Sequence, residues 1–215
     1  MNYIEHIYIC LIAPLLIAVI STKGRGRRIV TFLLFGMTAC LLSSYISSFI
    51  VAVQQVPLKL AAIEISPLVE EIIKILPVLV YLMLMSPDRD EISEGAMMTA
   101  IGFATLENVG YLLQKGTGDL VFLLIRGFGT GAMHVVCANI VIMGLVRLWK
   151  NEWIRIAGTV ALLAVAMTYH GVYNILASQT GIPAYIGYCI PLVTAVFGLA
   201  FGGRFWEKET TEQTE

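Results

Sequence analysis

Residues 66–85 read SPLVEEIIKILPVLVYLMLM. The stretch has the length of one membrane crossing, which takes about 20 mostly apolar residues. Yet Glu70, Glu71 and Lys74 stand inside it. A charge at the bilayer centre costs roughly 2.5–3.5 kcal/mol even on a lenient insertion scale. Either the segment is not a span, or its charged groups face a shared polar interior. Composition decides between the two. Of the 215 residues, 58% are hydrophobic and 13% charged, against about 45–50% and about 25% in an ordinary soluble domain. So few charges cannot cover a water-soluble surface of this size. That excludes a soluble enzyme, a disordered chain and a nucleic-acid binder with a basic face. The net charge of -1 steers no partner. The chain reads as an all-α, polytopic membrane helical bundle.

Outward from this stretch, the apolar runs fall at 4–20, 29–53, 57–85, 95–113, 120–148, 154–177 and 184–201, about seven transmembrane helices. The basic residues of the first run follow it rather than precede it, and no small-residue cleavage site is evident, so it reads as an anchor. Cytoplasmic loops carry an excess of Lys and Arg. With the N-terminus out, Lys23, Arg25, Arg27, Arg28, Arg89, Arg147, Lys150, Arg155, Arg204 and Lys208 lie inside, and only Lys59 and Lys115 outside. The expectation is one membrane domain over 1–215, with site-bearing helices over about 57–178 and a polar cytoplasmic tail over 204–215.

Four consecutive spans carry seven ionisable groups: Glu70, Glu71 and Lys74, then Glu107, then Arg126 and His134, then His170. A single buried charge is often a structural pair, but seven imply a common cavity. At about 1.5 Å per residue, counting from the outer edge puts Glu70, Glu107, His134 and His170 between the outer interface and just past the midplane. Helical spacing places Glu70 with Lys74, Arg126 with Thr130 and His134, and His170 with Asn174 on common faces. Glu64 lies nearer a membrane edge. Pro67 and Pro77 bracket the two glutamates, and a proline in a span is tolerated where the freed backbone lines a cavity or finds new partners. Glu70, Glu71 and Glu107 against Lys74 and Arg126 leave one negative charge in excess. Either one carboxyl holds a proton or a cation is bound.

Several known chemistries are absent. HExxH and the nucleophile elbow GxSxG do not occur. Residues 116–119 read GTGD, the GxGD of intramembrane aspartyl proteases, but the aspartates are Asp88, Asp90 and Asp119, and none is a second intramembrane partner. The cysteines Cys10, Cys40, Cys137 and Cys189 form no CxxC and sit in apolar runs, so they read as packing residues.

What remains is a Glu-Glu pair, a Phe-x-x-x-Glu-Asn segment and two helical histidines in successive spans. EEIIK at 70–74, GFATLENVGY at 102–111, Arg126 with Thr130 and His134, and HGVYN at 170–174 resemble the PrsW-type intramembrane proteases. That family falls in a clan with type II CAAX prenyl endopeptidases and bacteriocin-immunity-type membrane proteases. The CAAX relatives carry EExxxR, whereas here the base is Lys74, one position earlier. PrsW proteins often end the last motif in Asp, whereas here it is Asn174.

The resemblance implies a peptidase that cleaves a single-span membrane protein near the outer face, with anti-sigma-factor-like proteins as one substrate class. It suggests Glu70, Glu71, His134, His170 and Asn174 as catalytic, with Lys74, Glu107, Asn108 and Arg126 in support. One ionised glutamate would take a proton from water, while the other is held by Lys74. The histidines would orient the water and meet the oxyanion, or bind a metal. Asn174 would fix the tautomer of His170 or donate to the oxyanion. Zinc held by Glu70 or Glu71 with His134 and His170 is one option, and a metal-free glutamate mechanism the other. The partners expected are the substrate and the lipid bilayer, with no nucleic acid. A proton- or ion-coupled transporter would use the same buried residue types and broken helices, and a non-catalytic scaffold would keep them without turnover.

Overall fold

A computed structural model describes residues 3–116, 119–148 and 152–212. Among these, eight helices follow one another with no strand: α1 (Ile4–Ser21), α2 (Gly24–Gln54), α3 (Leu58–Glu64), α4 (Ser66–Met85), α5 (Arg89–Lys115), α6 (Leu120–Leu148), α7 (Glu152–Ala177) and α8 (Ile182–Glu212). Each expected span has its helix, but two boundaries differ. The tail begins in α8, which runs on to Glu212, and the run 57–85 is two helices. The expected links at Thr117, Gly118 and 149–151, and the end of the tail beyond Glu212, lie outside the described residues.

The break in 57–85 has a local cause. Pro67 has no N–H, and its ring crowds the carbonyl four residues back, that of Ile63. Helix α3 therefore stops at Glu64 and α4 restarts at Ser66, with Ile65 between them in the αR region. Pro77 lies inside α4 without ending it. Helices α1, α2, α5, α6 and α7 are long and apolar enough to cross a membrane. Helix α4 matches that length but carries Glu70, Glu71 and Lys74, and the apolar part of α8 is the shorter stretch Ile182–Gly198.

Two contacts between helix backbones set the frame. A Cβ on Gly36 of α2 would stand 2.0 Å from the carbonyl oxygen of Thr99, and one on Gly102 of α5 would stand 2.1 Å from that of Leu33. Small residues let membrane helices approach this closely where no hydrophobic force drives them together. The α2–α5 pair is thus locked along its length, and Gly102 belongs to the GFATLEN segment because only glycine fits there. Helix α6 packs on α5, α7 and α8, and α4 wedges among α2, α5 and α7. The apolar core lines this junction, with Met133, Cys137, Leu145 and Ala166 fully enclosed.

The basic beginning of α2 meets the start of α5. Arg25 and Arg28, at the start of α2, each reach Glu94 of α5 at 2.7 Å, and Arg28 also pairs with Glu91. Asp88 caps α5 by accepting from the Glu91 amide at 2.8 Å. Large apolar side chains such as Ile17, Phe49, Met83 and Phe197 cover the outside, as lipid contact requires.

Candidate active site

The four site-bearing helices deliver their polar groups to one chain of contacts. Glu71 Oε1 accepts from Lys74 Nζ at 2.7 Å and from His170 Nδ1 at 2.8 Å. Lys74 Nζ also stands 2.8 Å from His134 Nδ1, and His134 Nε2 stands 2.5 Å from Glu107 Oε2. Glu107 Oε1 is 3.6 Å from Arg126, whose guanidinium donates to Asn108 Oδ1 and lies 3.6 Å over the ring of Tyr111. The imidazoles of His134 and His170 meet edge-on, with centroids 5.2 Å apart. His134, His170, Glu71 and Lys74 are all buried.

The partners assign the tautomers. An ammonium has only donors, so His134 Nδ1 accepts from Lys74, and Nε2–H donates to Glu107. A carboxylate has only acceptors, so His170 Nδ1–H donates to Glu71, which leaves a lone pair on His170 Nε2. That nitrogen faces Glu70 Oε2 at 3.7 Å. Glu70 Oε2 is buried and has no hydrogen-bond partner. The two glutamates, equivalent in the sequence, are therefore distinct. Glu71 Oε1 is committed to Lys74 and His170, whereas Glu70 offers an unpartnered oxygen.

Lys74 pairs with Glu71 at i,i+3, although helical spacing places Glu70 on its face. Its aliphatic end lies against Phe103, with Nζ 5.0 Å from the ring centre, and the same ring is 4.9 Å from that of His134. Glu64 is exposed on α3 and stands apart from the cluster. Cys137 packs with Sγ toward the Ala166 carbonyl and Met133.

Asn174 does not set the tautomer of His170. The tautomer of His170 is set by Glu71, and Asn174 Nδ2 donates instead to the carbonyl of Ala62 at 2.8 Å, across to α3. The break at Pro67 explains why. It leaves carbonyls near the end of α3 without helical donors, and Asn174 supplies one. Gly171 passes over the next carbonyl, since a Cβ there would stand 3.5 Å from Ile63 oxygen. HGVYN is thus a strip on α7 that clasps the start of α4: His170 holds Glu71, Gly171 and Asn174 meet the broken backbone, and buried Tyr173 bonds Thr130 of α6 at 2.6 Å. Replacing Asn174 by Ala removes this exposed hydrogen bond, a net loss of about 0.5–1.5 kcal/mol. The expected result is a lower melting temperature in detergent, with Asn174→Asp no better, because a carboxylate cannot donate. An unchanged melting temperature for Asn174→Ala would show that the contact holds nothing.

Tyr111 and Tyr173 have specific contacts beside the cluster, Tyr111 with the Arg126 guanidinium and Tyr173 with Thr130. Two groups were missed in the sequence altogether. Four serines at 43, 44, 47 and 48 put two hydroxyls on each of two adjacent faces of α2, and Tyr45 OH donates to Glu5 at 2.5 Å. The i,i+4 spacing of the serines was the available signal.

Ligand atoms of Glu70, His134 and His170 all lie within 4.8 Å of one another. Two imidazoles and a carboxylate are a donor set that catalytic zinc takes, at about 2.0–2.2 Å from each. The unpartnered Glu70 oxygen, the free lone pair on His170 and the excess negative charge all fit a cation. Glu71, bonded to the far nitrogen of His170, is the kind of outer carboxylate that orients a metal-binding imidazole. The model of the PrsW family intramembrane metalloproteases matches residues 25–200. The chain belongs to the PrsW family. No curated protein and no solved structure matches it. As a PrsW protein it is a multi-pass membrane peptidase, and its helices fit the cell membrane. The matched residues take in every polar group of the site.

Proposed function

We propose that the chain hydrolyses a peptide bond of a single-span membrane protein near its outer face, with water activated at Glu70. The observation that carries this reading is the buried, unpartnered Glu70 Oε2, 3.7 Å from the free Nε2 of His170. A water between them meets two acceptors: Glu70 takes its proton and His170 fixes its orientation. His134 Nε2–H, now turned to Glu107, is the donor on hand for the oxyanion. Asn174 gives one N–H to the helix break and takes no part in this step. Glu71 and Lys74 hold both imidazoles in the required tautomers.

Glu70 and the free Nε2 of His170 would hold a divalent cation such as zinc, with His134 joining them by giving up the Nε2 proton it donates to Glu107, and holding the ion with one oxygen leaves Glu70 the other for a proton. Such an ion would supply Lewis-acid polarisation of the peptide carbonyl and of the water. Anti-sigma-factor-like proteins are one substrate class within this proposal.

Co-expression with single-span candidates tests the reading. The expected result is a shorter fragment that forms also in detergent, where no gradient exists, and that disappears with His134→Ala. Fragment formation equal in wild type and His134→Ala would overturn it. Exhaustive chelation separates the two routes: cleavage lost and restored by zinc supports the metal-held form, and cleavage that survives supports Glu70 as base without an ion.

A further inference from the structure

A cavity of ≈ 330 Å³ lies among α1, α2, α5 and α6 and reaches the site, because Glu107 and Arg126 form part of its wall. One water needs only about 10–15 Å³ measured in this way. The wall is polar where a lipid-facing surface would be apolar: Ser44 and Ser48 on α2, Gln114 on α5, and Glu5 with Tyr45 at the rim. Glu107 bonds His134 with one oxygen and is itself one-third exposed. The rim lies on the face away from the Arg25 and Arg28 turns.

Helix α1 closes this cavity toward lipid. No residue of α1 is buried, and Ile9, Ile17 and Ile20 face outward. Two exposed side-chain hydrogen bonds tie it to α2, Tyr8 to Thr38 at 2.7 Å and Tyr45 to Glu5 at 2.5 Å. The α2–α5 wall, locked at Gly36 and Gly102, cannot part without separating touching backbones. A peptide bond buried in a substrate helix must unwind to be cut, and its freed N–H and C=O groups need partners within the membrane. The serine row and Gln114 offer such partners, and Leu41, Leu106 and Leu113 offer apolar floor for side chains.

We propose that this cavity is the hydrated vestibule through which an unwound substrate segment reaches Glu107 and His134, and that α1 is the wall it displaces. The inference rests on the peptidase reading above and adds where the substrate enters.

Two measurements test it in protein whose four cysteines are replaced by Ala. Ser48→Cys faces the vestibule, and Phe49→Cys, one residue on, faces outward with Phe49 69% exposed. A membrane-impermeant methanethiosulfonate reagent should label Ser48→Cys at least about ten times faster. Equal rates, or no labelling of Ser48→Cys, would overturn a hydrated vestibule. The second pair is Ile4→Cys with Gly110→Cys, since Ile4 Cδ1 lies 3.8 Å from where a Gly110 side chain would begin. A short bis-methanethiosulfonate bridge between them should lower cleavage of a single-span reporter at least about tenfold, with reductant restoring it. Full cleavage by the bridged protein would overturn α1 as the moving wall. A reduced double variant that never cleaves counts against the peptidase reading, while the labelling contrast still decides the vestibule.

Discussion

Glu70→Gln is expected to leave a folded protein in the membrane that forms product at least about 100-fold more slowly than wild type, since a general base contributes roughly 10²–10⁴ in rate. Glutamine keeps the shape of the side chain but takes no proton. The orphaned Oε2 makes this residue, rather than Glu71, the one to test for chemistry. The measurement is a time course of fragment formation in detergent, alongside a melting curve showing that the fold survives. A double variant with His134→Ala that is no slower than either single variant would mark the two as one unit. Wild-type cleavage by Glu70→Gln would remove the glutamate mechanism altogether.

The largest loss of stability is expected at Lys74. Its ammonium is the bridge between Glu71 and His134, and lysine and glutamate are 6% and 3% exposed. Removing one partner of a buried ion pair costs about 3–5 kcal/mol, because the other charge stays behind uncompensated. Lys74→Met should therefore unfold at much lower temperature in detergent, or fail to accumulate. The double variant Lys74→Met with Glu71→Gln should recover much of that loss, because it removes both charges. Should the double variant be no more stable than Lys74→Met, charge imbalance would not be the cause.

The sequence revealed the membrane class, the spans and the residues of the cluster, because each leaves a one-dimensional mark. A charge within an apolar run is visible without coordinates, and so is a Glu-Glu pair or a histidine at helical spacing. Partner choice was not visible. Helical spacing put Glu70 on the face of Lys74, whereas Lys74 bonds Glu71, which His170 also holds from α7 while His134 meets Lys74 from α6. Asn174 was assigned to chemistry from its place one turn after His170. Its actual partner, the Ala62 carbonyl, is 112 residues away and becomes needy only through the break at Pro67. The break itself was half legible, since the proline could be seen but the stop at Glu64 depends on how α7 meets the freed backbone. The vestibule was not legible at all, because a cavity belongs to no single helix.

Three ionisable residues in α4 also constrain how the chain is made. At roughly 2.5–3.5 kcal/mol per charged group on the insertion scale, Glu70, Glu71 and Lys74 cost more than the Leu, Ile and Val residues of that helix contribute at roughly 0.3–0.6 kcal/mol each. When α4 leaves the ribosome, the histidines that will hydrogen-bond its charged groups, His134 and His170, have not been synthesised. The i,i+3 contact of Lys74 with Glu71 is the one compensation available within the helix itself. Helix α4 must therefore wait at the translocon, or at the membrane surface, until α6 and α7 arrive. A chain interrupted before residue 134 therefore presents α4 with Glu70, Glu71 and Lys74 still lacking their partners on α6 and α7.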